Sequence, residues 1–499
     1  MNRLSAALCA ACLLIPSALA QEEGPAPEIP EPRVYESTGQ VTADGERIRY
    51  RVVAGETYVE NDEGEPAGAI FSTAYFREGV DDPSRRPVAF IFNGGPGSAS
   101  LWLHMGMFGP KRVVLPSEPP GDDGAAPFNI ADNPETLLDE ADLVFIDPVG
   151  TGWSRALGDT DPTEAFWGVN EDAASIAQFI RRWLSENKRW NSPKYLIGES
   201  YGTLRIGALM RQLEAGWNDV AINGAVLISV VLDYRMDATN PGNDIGYIGL
   251  FPGYAAAGWY HETVDRSAWE GDYDAFLQDA RDFASDELMP ALIRGASLDE
   301  DRRERVVGRY AELTGLSEQY IDRSNLRVTL SRFRTELLRD RGLSVGRFDA
   351  RFTGVEPDGE AAWPEGDPSG YGIDGAYTAA MLDYFTRDLG VEITDPYTTL
   401  GGVREWNFDA GRETGGENNY VNTSPWLERA MRQNRDLRVL AANGIYDLAT
   451  PFHATEMTFN RPGYDQDRVT LTYYPAGHMM YLHQPSIEQL AEDVRDFVE

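Results

Sequence analysis

The stretch LIGESYGTLRIG, Leu196 to Gly207, changes its pattern in mid-course. Tyr195 to Ile197 is a short apolar run of the kind a buried strand needs, whereas Ile206, Leu209, Met210 and Leu213 recur at helical spacing and stop before Gly216. Between them, Gly198-Glu199-Ser200-Tyr201-Gly202 leaves room only for a tight turn. A serine at the apex of a strand-to-helix turn is pushed out of a crowded backbone, which is why its neighbours must be small. G-x-S-x-G alone is a weak signal. Its place between a strand and a helix makes Ser200 a candidate nucleophile.

The same alternation extends outward from this turn. Short continuous apolar runs at Val88–Phe92, Leu143–Ile146, Tyr195–Ile197, Ala225–Val231, Leu437–Ala442 and Val469–Tyr474 predict parallel strands buried on both faces. RIRYRVV at Arg47–Val53 and AIFSTAYF at Ala69–Phe76 alternate like strands of an antiparallel edge. Ile176, Phe179, Ile180, Trp183 and Leu184 form one apolar helix face, and Ser486 with Gln489 resembles a capping box ahead of a C-terminal helix. Strands alternating with helices predict an α/β fold with a mostly parallel central sheet flanked by helices. The long interval from 240 to 374 is charged and helix-favouring, and predicts a largely helical cap inserted between a first core part at 34–239 and a second at 375–499.

The first twenty residues stand apart. Arg3, the apolar stretch SAALCAACLLI and the small-residue pattern Ala18-Leu19-Ala20 predict a secretory signal peptide cut before Gln21, followed by a Pro/Glu-rich leader at 21–33. A lipid anchor at Cys9 or Cys12 is the rival reading. Both cysteines lie in this segment, so the exported chain has no disulfide and is held by its core alone. No later run approaches the length of a membrane helix. Periplasmic or extracellular location follows, without membrane insertion. The formal net charge of −36 repels phosphate backbones and disfavours nucleic acid as a partner.

A serine hydroxyl near neutral pH needs a base, and the base needs a group to orient it. Of five histidines, His478 lies in YYPAGHMMYLH, in the loop between the last predicted strand and the last helix. His483 and His453 are close to predicted helix starts, while His104 and His261 sit among aromatic and Met residues and read as structural. Asp447, in AANGIYDLATP, falls just past the strand 437–442, at the edge where open α/β sheets bind ligands. The chain order Ser200, Asp447, His478 is that of an α/β hydrolase. Acyl transfer also needs backbone N–H groups for its oxyanion. Tyr201, after the serine, supplies one, and the loop FNGGPGSASL with Gly94 and Gly95 supplies the other.

Together these motifs resemble the serine carboxypeptidase family of α/β hydrolases, in bacterial-type exported form. The resemblance rests on NGGPGSASLWLHMGMFGP from Asn93, FIDPVGTGWS from Phe145, GESYG from Gly198, GIYDLATP from Gly444 and AGHMMYLHQP from Ala476. It implies release of single residues from peptide C-termini, with Ser200 as nucleophile, His478 as general base and acid, Asp447 as its orienter, and Gly95 and Tyr201 as the oxyanion hole. It also implies that Asn93, Gly94 and Glu199 bind substrate, with Asn93 and Glu199 on its terminal carboxylate. Two carboxyl groups that close must share a proton, so an acidic working pH is expected.

The chain departs from that pattern at three positions. Met107 stands where many members have a second glutamate, Ile91 replaces a tryptophan, and Ser98 replaces a cysteine. The first two thin the carboxylate clamp, which keeps an esterase, an acyltransferase or another exopeptidase open as alternatives. A non-catalytic binding protein is a further one. No H-E-x-x-H and no G-x-x-x-x-G-K are present, so neither a metal nor another cofactor is expected, only a peptide or acyl substrate.

Overall fold

The structure, a computed structural model, describes residues 29–119, 124–214, 219–411 and 420–499. The predicted signal peptide and most of the Pro/Glu leader lie outside the described residues.

Runs such as VAFIF, LVFI and GAVLI have no polar side chain to turn to solvent, and each lies in a fully buried strand. The main sheet contains β1 (Val34–Ala43), β2 (Glu46–Glu60), β3 (Pro66–Arg77), β4 (Val88–Phe92), β5 (Asp142–Ile146), β6 (Lys194–Glu199), β7 (Gly224–Ile228), β8 (Arg438–Gly444) and β9 (Val469–Tyr474). Their spatial order is β1-β2-β3-β5-β4-β6-β7-β8-β9, with the two-residue strand Arg155–Ala156 paired to β3. From β5 to β9 all pairings are parallel, and β1, β2 and β3 add an antiparallel edge. This is an α/β-hydrolase architecture.

Successive side chains of a strand face opposite ways, so each central strand feeds two cores. Ala89 and Ile91 of β4 enter one cluster, while Val88, Phe90 and Phe92 enter the other. Helices α1 (Val169–Glu186), α2 (Tyr201–Leu213) and α3 (Ser424–Gln433) cover the second cluster, with Phe179, Ile180 and Leu184 of α1 fully buried there. Helix α4 (Gln484–Val498) covers the first through Ile487, Leu490 and Val494. Each such side chain, fully buried, stabilises the fold by about 1.5–3 kcal/mol.

The expected capping box at the last helix is not formed. Helix α4 begins at Gln484, with Pro485 in its first turn, where a missing N–H is harmless. Ser486 is buried and its hydroxyl meets His483 Nδ1 at 2.7 Å instead.

Between β7 and β8 the chain builds helices at Ile245–Tyr260, Tyr273–Asp282, Glu300–Thr314 and Leu330–Glu336, and a small antiparallel pair, Leu343–Val345 with Thr353–Val355. They share a third apolar cluster with Tyr446, Leu448 and Phe452, which follow β8. Main-chain bonds fasten the tip of this pair to the sheet edge. Arg347 O accepts from Leu448 N–H at 3.0 Å, Phe348 O accepts from His478 N–H at 2.5 Å, and Ala350 N–H donates to Tyr446 O at 2.9 Å.

Candidate active site

The register of β4 against β6 pairs Phe92 with Gly198, so Asn93 and Glu199 leave adjacent strand ends side by side. Asn93 Nδ2 donates to Glu199 Oε2 at 2.9 Å, and Asn93 Oδ1 accepts from Leu103 N–H at 3.0 Å. One residue later the chain turns sharply. Ser200 has φ +60° and ψ −129°, a conformation that costs a non-glycine residue about 1–3 kcal/mol, and α2 starts immediately after it. Ser200 N–H donates to Ile228 O at 2.9 Å, which ties the turn to β7.

Gly94 faces this turn at very short range. A Cβ there would lie 2.4 Å from Tyr201 N and 2.7 Å from Glu199 O, so no other residue fits. The glycine loop thereby lies against the first N–H of α2, one of the helix donors without an intrahelical acceptor. Gly95 follows with φ +101°.

Asp447 and His478 lie past the ends of β8 and β9. His478 Nδ1 is 2.7 Å from Asp447 Oδ2, and Asp447 is completely buried. Asp447 Oδ1 accepts from Ala449 N–H at 2.7 Å and Thr450 N–H at 3.0 Å, while Oδ2 accepts from Thr450 Oγ1 at 2.6 Å. With Nδ1 engaged, Nε2 is the ring nitrogen left to exchange a proton. Burial opposes charge on this imidazole, but Asp447 and Glu199 outweigh it and raise its pKa above the ordinary histidine value. Ser229 Oγ donates to His478 O at 2.6 Å, and Asp349 Oδ2 accepts from Gly477 N–H at 3.1 Å, fixing the loop on both sides.

Ser200, His478, Glu199, Asn93, Gly94 and Gly95 line one cavity of about 700 Å³. Tyr201 is buried behind its wall. Burial pushes the Glu199 carboxyl up to about 7, against the lowering effects of His478, Tyr481 and Asn93. A carboxylic acid that stays neutral near pH 6 can donate a hydrogen bond to an anion.

The other histidines stand elsewhere. His104 stacks on Phe145 with centroids 4.0 Å apart, meets Tyr75 Oη at 2.6 Å, and is pushed down to about 3 by burial. His261 Nε2 bonds Ala350 O, and His453 pairs with Glu456. Among the described residues, no group of three or more His, Cys, Asp and Glu side chains is arranged to hold a metal ion.

Three contributors escape sequence reasoning. Tyr481 Oη donates to Glu199 Oε2 at 2.8 Å. Arg205, fully buried on α2, pairs with Asp172 and hydrogen-bonds Asn93 O. Asp147, pushed up to about 6 by burial, accepts from Ser100 N–H and Tyr397 Oη. Arg205 is a cation among apolar residues of α2, but the same helix also carries Arg211 at its exposed end, so a cation there marks no site by itself.

Comparison with known proteins now bears on this geometry. Residues 69–270, which include the glycine loop and Ser200, match the family model described as serine carboxypeptidase. Relatives from Arabidopsis thaliana include serine carboxypeptidase-like 8, 27% identical over 147 residues (28% of this chain and 31% of that protein). Serine carboxypeptidase-like 36 is 28% identical over 175 residues, 35% of this chain and 33% of its own. The chain thus spans about a third of the length of the curated relatives it matches. Among solved structures, Kex1(Δ)p, a prohormone-processing carboxypeptidase from Saccharomyces cerevisiae, superposes with a TM-score of 0.51 at 14% identity, covering 89% of this chain and 91% of that one. That likeness concerns the fold. Asp447 and His478 lie beyond the segment matched to the serine carboxypeptidase model, so their part in the site rests on the geometry above.

Proposed function

We propose that the chain is a serine carboxypeptidase, releasing single residues from peptide C-termini through an acyl-enzyme. Ser200 Oγ attacks the carbonyl carbon of the last peptide bond while His478 Nε2 takes its proton, and Asp447 holds the imidazole in the required tautomer. The oxygen of the tetrahedral intermediate draws on the N–H groups of Gly95 and Tyr201. His478 returns the proton to the leaving amine, the terminal amino acid departs, and water repeats the sequence on the ester.

The observation that carries the reading is Glu199. A buried carboxyl beside the nucleophile, paired with Asn93 and held near neutrality, suits a substrate's terminal carboxylate, with which it shares one proton. Residues 240–374 act as a cap that shapes the cavity wall through Arg347 and Phe348. The signal peptide at 1–20 directs export to the periplasm or outside the cell. Among the described residues no helix is long and apolar enough to cross a membrane.

A second reading keeps the machinery and changes the acyl group, as an esterase, acyltransferase or other exopeptidase. It is favoured by Met107 and Ile91, both fully buried and apolar where clamp residues are expected. Release of free amino acid from an N-blocked dipeptide between pH 4 and 8, absent in Ser200→Ala, selects the carboxypeptidase. Ester cleavage without that release selects the alternative.

A further inference from the structure

Glu199 receives more support than the family pattern supplies. Asn93 Nδ2 and Tyr481 Oη, which come from opposite ends of the sequence, both donate to Oε2, at 2.9 and 2.8 Å. Among the described residues no hydrogen bond reaches Oε1, and Glu199 lines the cavity beside Ser200. A neutral carboxyl carries its proton on the oxygen whose partner atom is already serving as acceptor. With Oε2 occupied by two donors, the proton of neutral Glu199 sits on Oε1, the oxygen left free to donate to an anion.

The Tyr481 ring is accommodated by a specific gap. A Cβ on Gly106 would fall 2.6 Å from Tyr481 Cε2 and 2.6 Å from Tyr377 Oη, so this glycine makes room for both rings. Its neighbour Met107, at the position of the missing second glutamate, is buried in the apolar core. The segment that would bring a carboxyl group to Glu199 instead makes way for a phenol. Tyr481 is itself fully surrounded, so its hydroxyl has one fixed direction.

We propose that Tyr481 is a positioning residue for carboxylate recognition, pinning Glu199 with its free oxygen toward the substrate's terminal carboxylate in place of a second acidic group. The inference rests on the carboxypeptidase reading. Besides Tyr481, the titratable groups facing Glu199 are His478, whose charge favours its ionised form, Asp447, which disfavours it, and the phenol of Tyr377. A phenol suits the task at any working pH, because burial keeps it protonated well above the ordinary tyrosine value.

The test compares an N-blocked dipeptide with its methyl ester, from pH 4 to 8, in the wild type and Tyr481→Phe. Phenylalanine keeps the ring and removes one donor. The expected result has two parts. The ratio of kcat/KM for free acid over ester falls about tenfold, as for loss of one hydrogen bond to an ionisable group. The pH at which KM for the free acid climbs also moves upward, because the lost donor favoured ionised Glu199. Gly106→Ala, which crowds the ring, reproduces the drop in the ratio and guards against a folding defect in the first variant. A wild type that prefers the acid while Tyr481→Phe keeps its ratio and midpoint overturns the proposal alone. Equal losses on acid and ester overturn it as well. A wild type with no preference for the free acid overturns the carboxypeptidase reading and the proposal with it.

Discussion

Arg205 reaches from the second turn of α2 to the carbonyl of Asn93, donating from Nη1 at 2.6 Å while Nε holds Asp172 at 2.6 Å. The helix that begins at Ser200 thus anchors the loop that carries Gly94 and Gly95. One buried ion pair fixes the distance between Ser200 and the glycine loop.

Removing that cation leaves Asp172 as an uncompensated buried charge. Arg205→Met is expected to destabilise the protein by about 3–5 kcal/mol, and addition of Asp172→Asn to recover part of the loss. Urea unfolding of the single and double variants reads both effects. A double variant no more stable than the single one contradicts the pairing.

The strained serine gives a second expectation. Ser200→Gly relieves the positive φ and is expected to raise stability by about 1 kcal/mol while hydrolysis falls by ~10⁴ or more. Thermal unfolding and turnover on one preparation test this opposition. A lower melting temperature would show that the turn is not strained.

For the base, Asp447→Asn keeps the shape of the carboxyl but presents an amide to Nδ1. The imidazole then adopts the wrong tautomer, and kcat is expected to drop by ~10³–10⁴ with KM changed only a few-fold. Steady-state kinetics on an ester substrate measure the split. A small loss in kcat would remove Asp447 from the mechanism.

Stability should also depend on pH in a definite direction. Burial raises Glu199 from 4.5 to about 7 and Asp147 from 3.8 to about 6. Both therefore bind their protons more tightly folded than unfolded. Their contribution is complete below about pH 4 and is lost as pH rises through 6 to 7. Glu456 works the other way, held down at about 2 by His453 and Arg281 despite its burial, so its share is lost only in stronger acid. Melting temperature is expected to fall between pH 5 and 8, and Glu199→Gln to flatten that slope by an amount on the order of 1–3 kcal/mol. A slope unchanged in the variant contradicts the assignment.

The parallel strands were legible because each is an unbroken apolar run buried on both faces. Strand β1 was not, since VYESTGQVTA alternates exposed and partly buried positions at a sheet edge and offers little apolar signal. The last helix was placed too late because Ser486 imitates a cap, while Pro485 already fits the first turn. Ser200, Asp447 and His478 announce themselves by local motifs at strand ends. Tyr481 and Arg205 do not, because their partners lie 282 and 112 residues away and no local pattern encodes such a meeting.

The loop at 347–350 grips the Asp447 and His478 loops by three main-chain bonds, to which the Asp349 carboxylate adds one from Gly477 N–H. The three main-chain bonds survive a change of side chain, whereas the one at Asp349 Oδ2 does not. A shift in the path of the chain would break all three at once. The inserted helices are therefore not a detachable module. A graft of foreign helices between β7 and β8 would have to reproduce this backbone trace, and a carboxylate at position 349, before Asp447 and His478 met again.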